Sequence, residues 1–316
     1  MEVFLTSLLN GLVYGLLLFM LASGLTLIFS MMGVLNFAHA SVYMLGAYFA
    51  FEITRAIGFL AALVVVPLLC AGVGALIEMY GLRRVHRYGH VAELLFTFGL
   101  AFVIGKLVQM AWGMLPVPYY IPRLLDFTLF RFYGTNFHAY RGFMLLISIL
   151  MFVATWLLFT RTRIGLIIQA SLAHPEMVAA LGHNVPRVFT GVFAGGSALA
   201  GLAGVIGGSL FTTDPGMADA MGPIVFVVVV FGGLGSLTGC FVASLIMGLI
   251  QSYAVVVDYS LSDLTNALFG ASFSSDWFFG EFMNLHMNRI GPVLPYVLMV
   301  LMLAVRPRGL MGTRDT

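Results

Sequence analysis

Apolar residues in this chain come in long unbroken blocks, and their lengths set the first expectation. Leu5–Met31, Phe59–Leu82 and Val188–Phe211 each exceed the roughly 18 apolar residues that cross a bilayer as a helix. His90–Trp112, Arg141–Phe159 and Ile290–Val305 predict further crossings. Two stretches are interrupted. Leu5–Met31 meets a weak stop at Met32–Asn36, followed by the short run Phe37–Phe51. Met221–Val257 breaks near Gly232-Gly233-Leu234-Gly235-Ser236, where glycine supplies backbone freedom. The pattern predicts an all-α polytopic membrane protein of eight or nine transmembrane helices, with broken or short helices near 32–52 and 221–240. Residues 1–316 are read as a single transmembrane domain. It contains a polar, amphipathic cytoplasmic loop at 161–187 and a cytoplasmic tail at 306–316.

Composition removes the soluble alternative. Hydrophobic residues make up 61% of the 316 and charged residues 9%, against about 25% charged in soluble domains; mean hydropathy is +1.03. The first apolar block is too long for a secretory signal and has no basic residues before it, so it is expected to stay in the protein. A net charge of +2 gives no reason to expect nucleic acid. Cys70 and Cys240 each lie in an apolar run and offer neither a disulfide nor a metal framework.

Charge position gives the topology. Arg83, Arg84 and Arg87 share one loop, Arg161, Arg163 and Arg187 bracket another, and Arg306, Arg308 and Arg314 lie in the tail. Positive residues favour the cytoplasmic side, which puts Gly113–Tyr140 outside despite Arg123 and Arg131. Between Arg187 and Arg306 the number of crossings is then even, so Met221–Val257 crosses twice if it enters fully. Near the start the count stays open. Nine spans put the N-terminus outside, and eight put it inside. The acids Asp126, Asp214, Asp219, Asp258, Asp263, Asp276 and Glu281 fall in predicted external loops. Phe269, Phe273, Trp277, Phe278 and Phe279 suit either an interfacial aromatic belt or a docking surface for an external partner.

No catalytic constellation is present. There is no HExxH, no GxSxG and no GxxxxGK[ST]; the one lysine, Lys106, sits in an apolar block. The chain is expected to be no enzyme and to bind no metal or cofactor; any ATP would be used by another polypeptide. Three segments are candidates. At the first interruption, Asn36, Phe37, His39 and Ser41 could line a substrate pathway, because a broken helix at membrane depth is tolerated only inside protein or beside a cavity. Equally, Asn36 could be a helix cap and His39 a packing residue. At the second, Gly232, Gly233, Gly235 and Ser236 could line the pathway or act as a hinge, or simply allow close packing. Gly235 and Gly239, Gly191 and Gly195, and Gly204 and Gly208 all have the spacing that lets helices approach. In the third, Arg161–Arg187, residues Leu166, Ile167, Ala170, Met177, Val178 and Leu181 could form one apolar face, broken at Pro175 and ended by Gly182. The bland alternative is a helix lying on lipid.

Together these segments resemble the permease family of ABC importers for branched-chain amino acids, the LivH/LivM type, with the LivH-like subunit nearer. GLTLIF (24–29) with GVLNFAHASVYMLGAY (33–48) is similar to its N-terminal signature. RTRIG (161–165) with ASLAHPEMVAALGHNV (170–185) resembles its coupling loop, FGGLGSLTG (231–239) its glycine motif, and Arg306–Gly312 its tail. The coupling loop departs from the family at Gln169, His174 and His183, which bears on which ATPase it meets.

The resemblance implies a multi-pass subunit of the plasma (inner) membrane with a cytoplasmic C-terminus, in contact with membrane lipid. Its partners would be a homologous second permease, two cytoplasmic ATPases and an external solute-binding protein. ATPase contacts would fall on Ala170, His174, Pro175, Glu176, Met177, Ala180, Leu181 and Gly182. The solute would be an aliphatic amino acid or another small amphipathic molecule such as urea, an amide or a carboxylate. The competing reading is an autonomous channel or secondary carrier, for which Glu52, Glu78, Glu93 and Lys106 would have to converge.

Overall fold

The structure, a computed structural model, describes residues 2–33, 35–132, 135–256, 260, 263 and 286–312. The aromatic segment at 269–279, with Asp276 and Glu281, lies outside the described residues, as does Arg314. In chain order the long helices are α1 (Glu2–Met32), α2 (His39–Ile57), α3 (Phe59–Leu76), α5 (His90–Trp112) and α6 (Ala139–Arg161). They continue with α9 (Val185–Leu210), α10 (Met217–Gly232), α11 (Leu237–Val256) and α13 (Leu294–Val305). The short ones are α4 (Arg83–Val85), α7 (Arg163–Ala173), α8 (Pro175–Ala180) and α12 (Met287–Ile290). A π-turn at Ile77–Leu82 carries α3 towards Tyr88 without a stop.

Seven of the described helices are long and apolar enough to cross a membrane. The other two long ones are α10, with 16 residues, and α2, with 19 residues that include Glu52 and Arg55. α2 runs alongside α5. The start of α2 meets Thr97 in the first half of α5, where Phe37 N–H donates to Thr97 Oγ1 at 3.4 Å. The end of α2 meets the end of α5, where Trp112 Nε1 donates to Glu52 Oε1 at 2.8 Å. Near the N-terminus, the Ser7 carbonyl accepts from Ser252 Oγ at 2.7 Å and Phe4 packs on Tyr253, both at the end of α11. The C-terminal tail instead reaches the start of α11. Among the described residues, the two chain ends therefore lie at opposite ends of the bundle.

α1 is apolar all round, as expected of a helix surrounded by protein. Within its apolar window 83% of residues are buried, against 22% for α3, α5 and α6. Those outer helices are no less apolar, because lipid is as apolar a neighbour as another helix. Of the three glycine pairs, Gly204 and Gly208 pack α9 directly onto Tyr43 and Ala47 of α2. Gly239 packs on Gly232. Gly191 and Gly195 depart from the expectation: a Cβ at Gly191 would meet nothing within 4 Å.

The loop after α5 contains an element the pattern did not predict. Strands β1 (Thr128–Phe132) and β2 (Thr135–His138) form an antiparallel hairpin. Tyr119 ties this loop to the bundle by donating to the Val205 carbonyl at 2.8 Å. Burial raises the Tyr119 phenol pKa well above its ordinary value.

Candidate functional site

The break after α1 starts at Gly33, whose N–H donates to the Phe29 carbonyl at 2.9 Å. Asn36 is buried, and its Oδ1 accepts from the Ala38 N–H at 3.1 Å, a side-chain turn ahead of α2 and not the helix cap. Phe37 stays partly exposed, stacked on Phe226 of α10 at 5.8 Å and edge-on to Phe98 of α5 at 6.1 Å. His39 is buried, with Nε2 3.0 Å from the Leu21 carbonyl. A carbonyl can only accept, so Nε2 carries the proton and Nδ1 is left as an acceptor. Among the described residues Nδ1 has no partner. Ser41 donates to the carbonyl of Ala101, a residue of the cavity wall, at 3.4 Å, but does not itself line the cavity.

Asn36, Phe37 and His39 line one cavity of about 370 Å³. Sequence reasoning did not supply its other walls: Phe98 and Phe102 of α5, Asp219, Pro223 and Phe226 of α10, and Tyr296 and Met299 of α13. Asp219 lies in the first turn of α10, not in a free loop. Pro223 has no N–H to donate to the Asp219 carbonyl four residues back, so that carbonyl lacks its usual helical partner. Pro223, inside an apolar run, was the available signal. The cavity is mainly apolar, with Asn36, His39, Asp219 and Tyr296 as its polar residues.

The glycine motif is elsewhere. Gly233 has φ +103, and a Cβ there would overlap Gly312 N and lie 2.8 Å from Gly312 Cα. Leu310 and Met311 N–H donate to the Phe231 and Gly232 carbonyls at 2.9 and 3.0 Å. Ser236 Oγ accepts from Gly239 N–H at 3.1 Å, opening α11. Two motifs far apart in sequence thus meet, the glycine motif cradling the tail. Gly235 lies beside Ser30 and lines a separate cleft next to α7. The structure does not bring Gly232, Gly233, Gly235 or Ser236 to the 370 Å³ cavity.

α7 and α8 form a projecting handle. Thr162 accepts from Gly165 N–H at 3.1 Å to start α7, and Pro175 opens α8. Gly182, at φ +89, closes α8: its N–H donates to the Ala179 carbonyl, and His183 N–H to that of Val178. The expected single apolar face is not formed. Ile168 and Val178 turn inward, while Leu166, Met177 and Leu181 are exposed. Ala170, His174, Glu176, Ala180 and Gly182 are exposed as well. Ile168 clusters with Leu27 of α1 and Val192 of α9, the inner anchor of the handle.

The ionisable groups needed for a self-sufficient carrier are held locally. Glu52 accepts from Trp112. Glu78 pairs with Arg83 at 2.7 Å and accepts from Thr190. Glu93 is bracketed by His86 and His90, and Lys106 donates to Gln109 at 2.9 Å. They do not converge.

The model of the family described as branched-chain amino acid transport system / permease component matches residues 7–303. This chain belongs to that family. It is similar to the high-affinity branched-chain amino acid transport system permease protein LivH of Escherichia coli, at 25% identity over 98% of this chain and 96% of that one. It is 24% identical to BraD of Pseudomonas aeruginosa over the same shares. It is 26% identical to a probable LivH of Methanocaldococcus jannaschii, over 96% of this chain and 91% of that one. The permease is accordingly a multi-pass membrane protein.

Proposed function

We propose that this permease is the membrane subunit of an ATP-driven importer for a branched-chain or other aliphatic amino acid. It has no catalytic role of its own. It pairs with a homologous permease, receives solute from an external binding protein, and is moved by two cytoplasmic ATPases that use the ATP. The basic segments favour a cytoplasmic handle and C-terminal tail, and the N-terminus, at the other end of the bundle, would then be outside.

One observation carries the reading. Met177 and Leu181, 66% and 79% exposed among the described residues, stand on an anchored handle closed by Gly182. Exposed apolar side chains on such a projection suit a partner's groove. Ala170, His174, Pro175, Glu176, Ala180 and Gly182 complete that contact. Motion of the handle would pass through Ile168 to Leu27 of α1, two residues from Leu25 on the cavity wall. Phe37, Phe98, Phe226 and Met299 suit an aliphatic side chain, and Asn36, His39 Nδ1 and Asp219 suit its polar end. Switching such a subunit from 1:99 to 99:1 takes about 5.5 kcal/mol of differential binding, which nucleotide-driven ATPase closure would supply.

The test is a Glu176→Arg/Leu181→Asp double variant in the intact transporter. ATP-dependent uptake is expected to fall to background, with reduced ATPase co-purification. Normal uptake with full co-purification would overturn the assignment of this surface.

A further inference from the structure

A second large cleft, of about 580 Å³, lies between α6, α7 and α9 and shares none of its residues with the solute cavity. Its walls are apolar, from Leu158, Ile164, Ile167, Val192 and Leu199. Its mouth carries His183, Asn184 and Arg187, around the start of α9. No acidic residue lines it, and among the described residues Arg187 pairs with no carboxylate.

Gly191 and Gly195 lie within it, the pair that packs against almost nothing; a Cβ at Gly195 would touch only Leu27 Cδ2, at 3.7 Å. A spacing that elsewhere draws helices together here leaves a slot. From Arg187 to Leu199, α9 rises about 18 Å at 1.5 Å per residue. One leaflet's hydrocarbon is about 15 Å thick, half the usual core. Slot depth and acyl-chain length therefore match, with the guanidinium at headgroup level.

We propose that this cleft binds one anionic phospholipid, an acyl chain lying against Gly191 and Gly195 and its phosphate held by Arg187. A guanidinium matches a phosphate in charge and fork geometry, and basic pockets between membrane helices suit such headgroups. A zwitterionic lipid brings its own cation and has less to gain. Because Ile164 and Ile167 of α7 roof the slot, the bound chain forms part of the seat on which the handle rests.

The purified transporter complex, washed in detergent and supplied with phosphatidylglycerol or phosphatidylcholine, tests this by native mass spectrometry. Phosphatidylglycerol should be retained at least tenfold better. Arg187→Glu should bring the two lipids close to parity, while Arg187→Lys keeps most of the preference. Gly191→Leu, whose side chain enters open space, should reduce retention of both. Should a variant fail to assemble, wild-type complex with a tail-labelled photoactivatable phosphatidylglycerol answers instead, with cross-links expected in 154–168 and 183–199. Equal retention of both lipids, an unchanged preference in Arg187→Glu, cross-links confined elsewhere, or equal protection by soluble glycerol phosphate would each overturn the proposal. Lipid retention is read without uptake, so failure of the importer reading leaves this result standing.

Discussion

Residues 33–38 and 233–236 both interrupt apolar helices, and both stand out in the sequence for the same reason. They end differently. At 33–38 the released polar groups are only partly used. Asn36 Oδ1 takes the Ala38 N–H, but buried His39 Nδ1 has no partner among the described residues, and His39 lines a cavity that also holds Asp219. At 233–236 the released carbonyls at the end of α10 are taken up by the backbone of the tail, and Ser236 caps the next helix. A buried acceptor left unsatisfied costs about 1–3 kcal/mol, so the first break keeps a polar group that its own fold does not use. A break whose freed carbonyls are taken up within the chain is expected to act as structure.

The largest effect should come from closing the second break. Gly233→Val puts a branched side chain at φ +103 and into Gly312. It should cost roughly 2–4 kcal/mol, seen as a lower unfolding temperature and poor recovery of the detergent-solubilised protein. Wild-type stability in this variant would mean the tail is not docked as described. The first break should answer differently. Asp219→Asn keeps size and fold but removes a charge from the cavity, and uptake should fall about tenfold, equivalent to 1.4 kcal/mol, at unchanged unfolding temperature. A matching loss of stability would make Asp219 a packing residue and blur the contrast. The smallest effect is expected for Ser236→Ala, about 1 kcal/mol of stability from the lost cap, with uptake per folded molecule unaltered. Reduced uptake per molecule there would place the second break in the pathway after all.

Much of the fold was legible because block length and arginine position are local properties. α5 begins and ends at His90 and Trp112 as read, between Gly89 and Gly113. The pairing of β1 with β2 was missed, because the strands have only 5 and 4 residues in which to show alternation. The handle was found, but its facing was not. Helical spacing alone groups Val178 with Met177 and Leu181, and only the packing of α8 on its neighbours separates them. The cavity was half legible. Asn36, Phe37 and His39 announce themselves as polar or aromatic residues at a break. Asp219, Phe226 and Tyr296 become their neighbours only through the crossing of α2, α5, α10 and α13, which no window along the chain contains.

The tail cradle also sets an order of events. Leu310 and Met311 close the last turn of α10, yet they leave the ribosome only after α11 and α13 have been made. α10 is thus an early-synthesised helix completed late, and a nascent chain interrupted in between carries two bare carbonyls at its end.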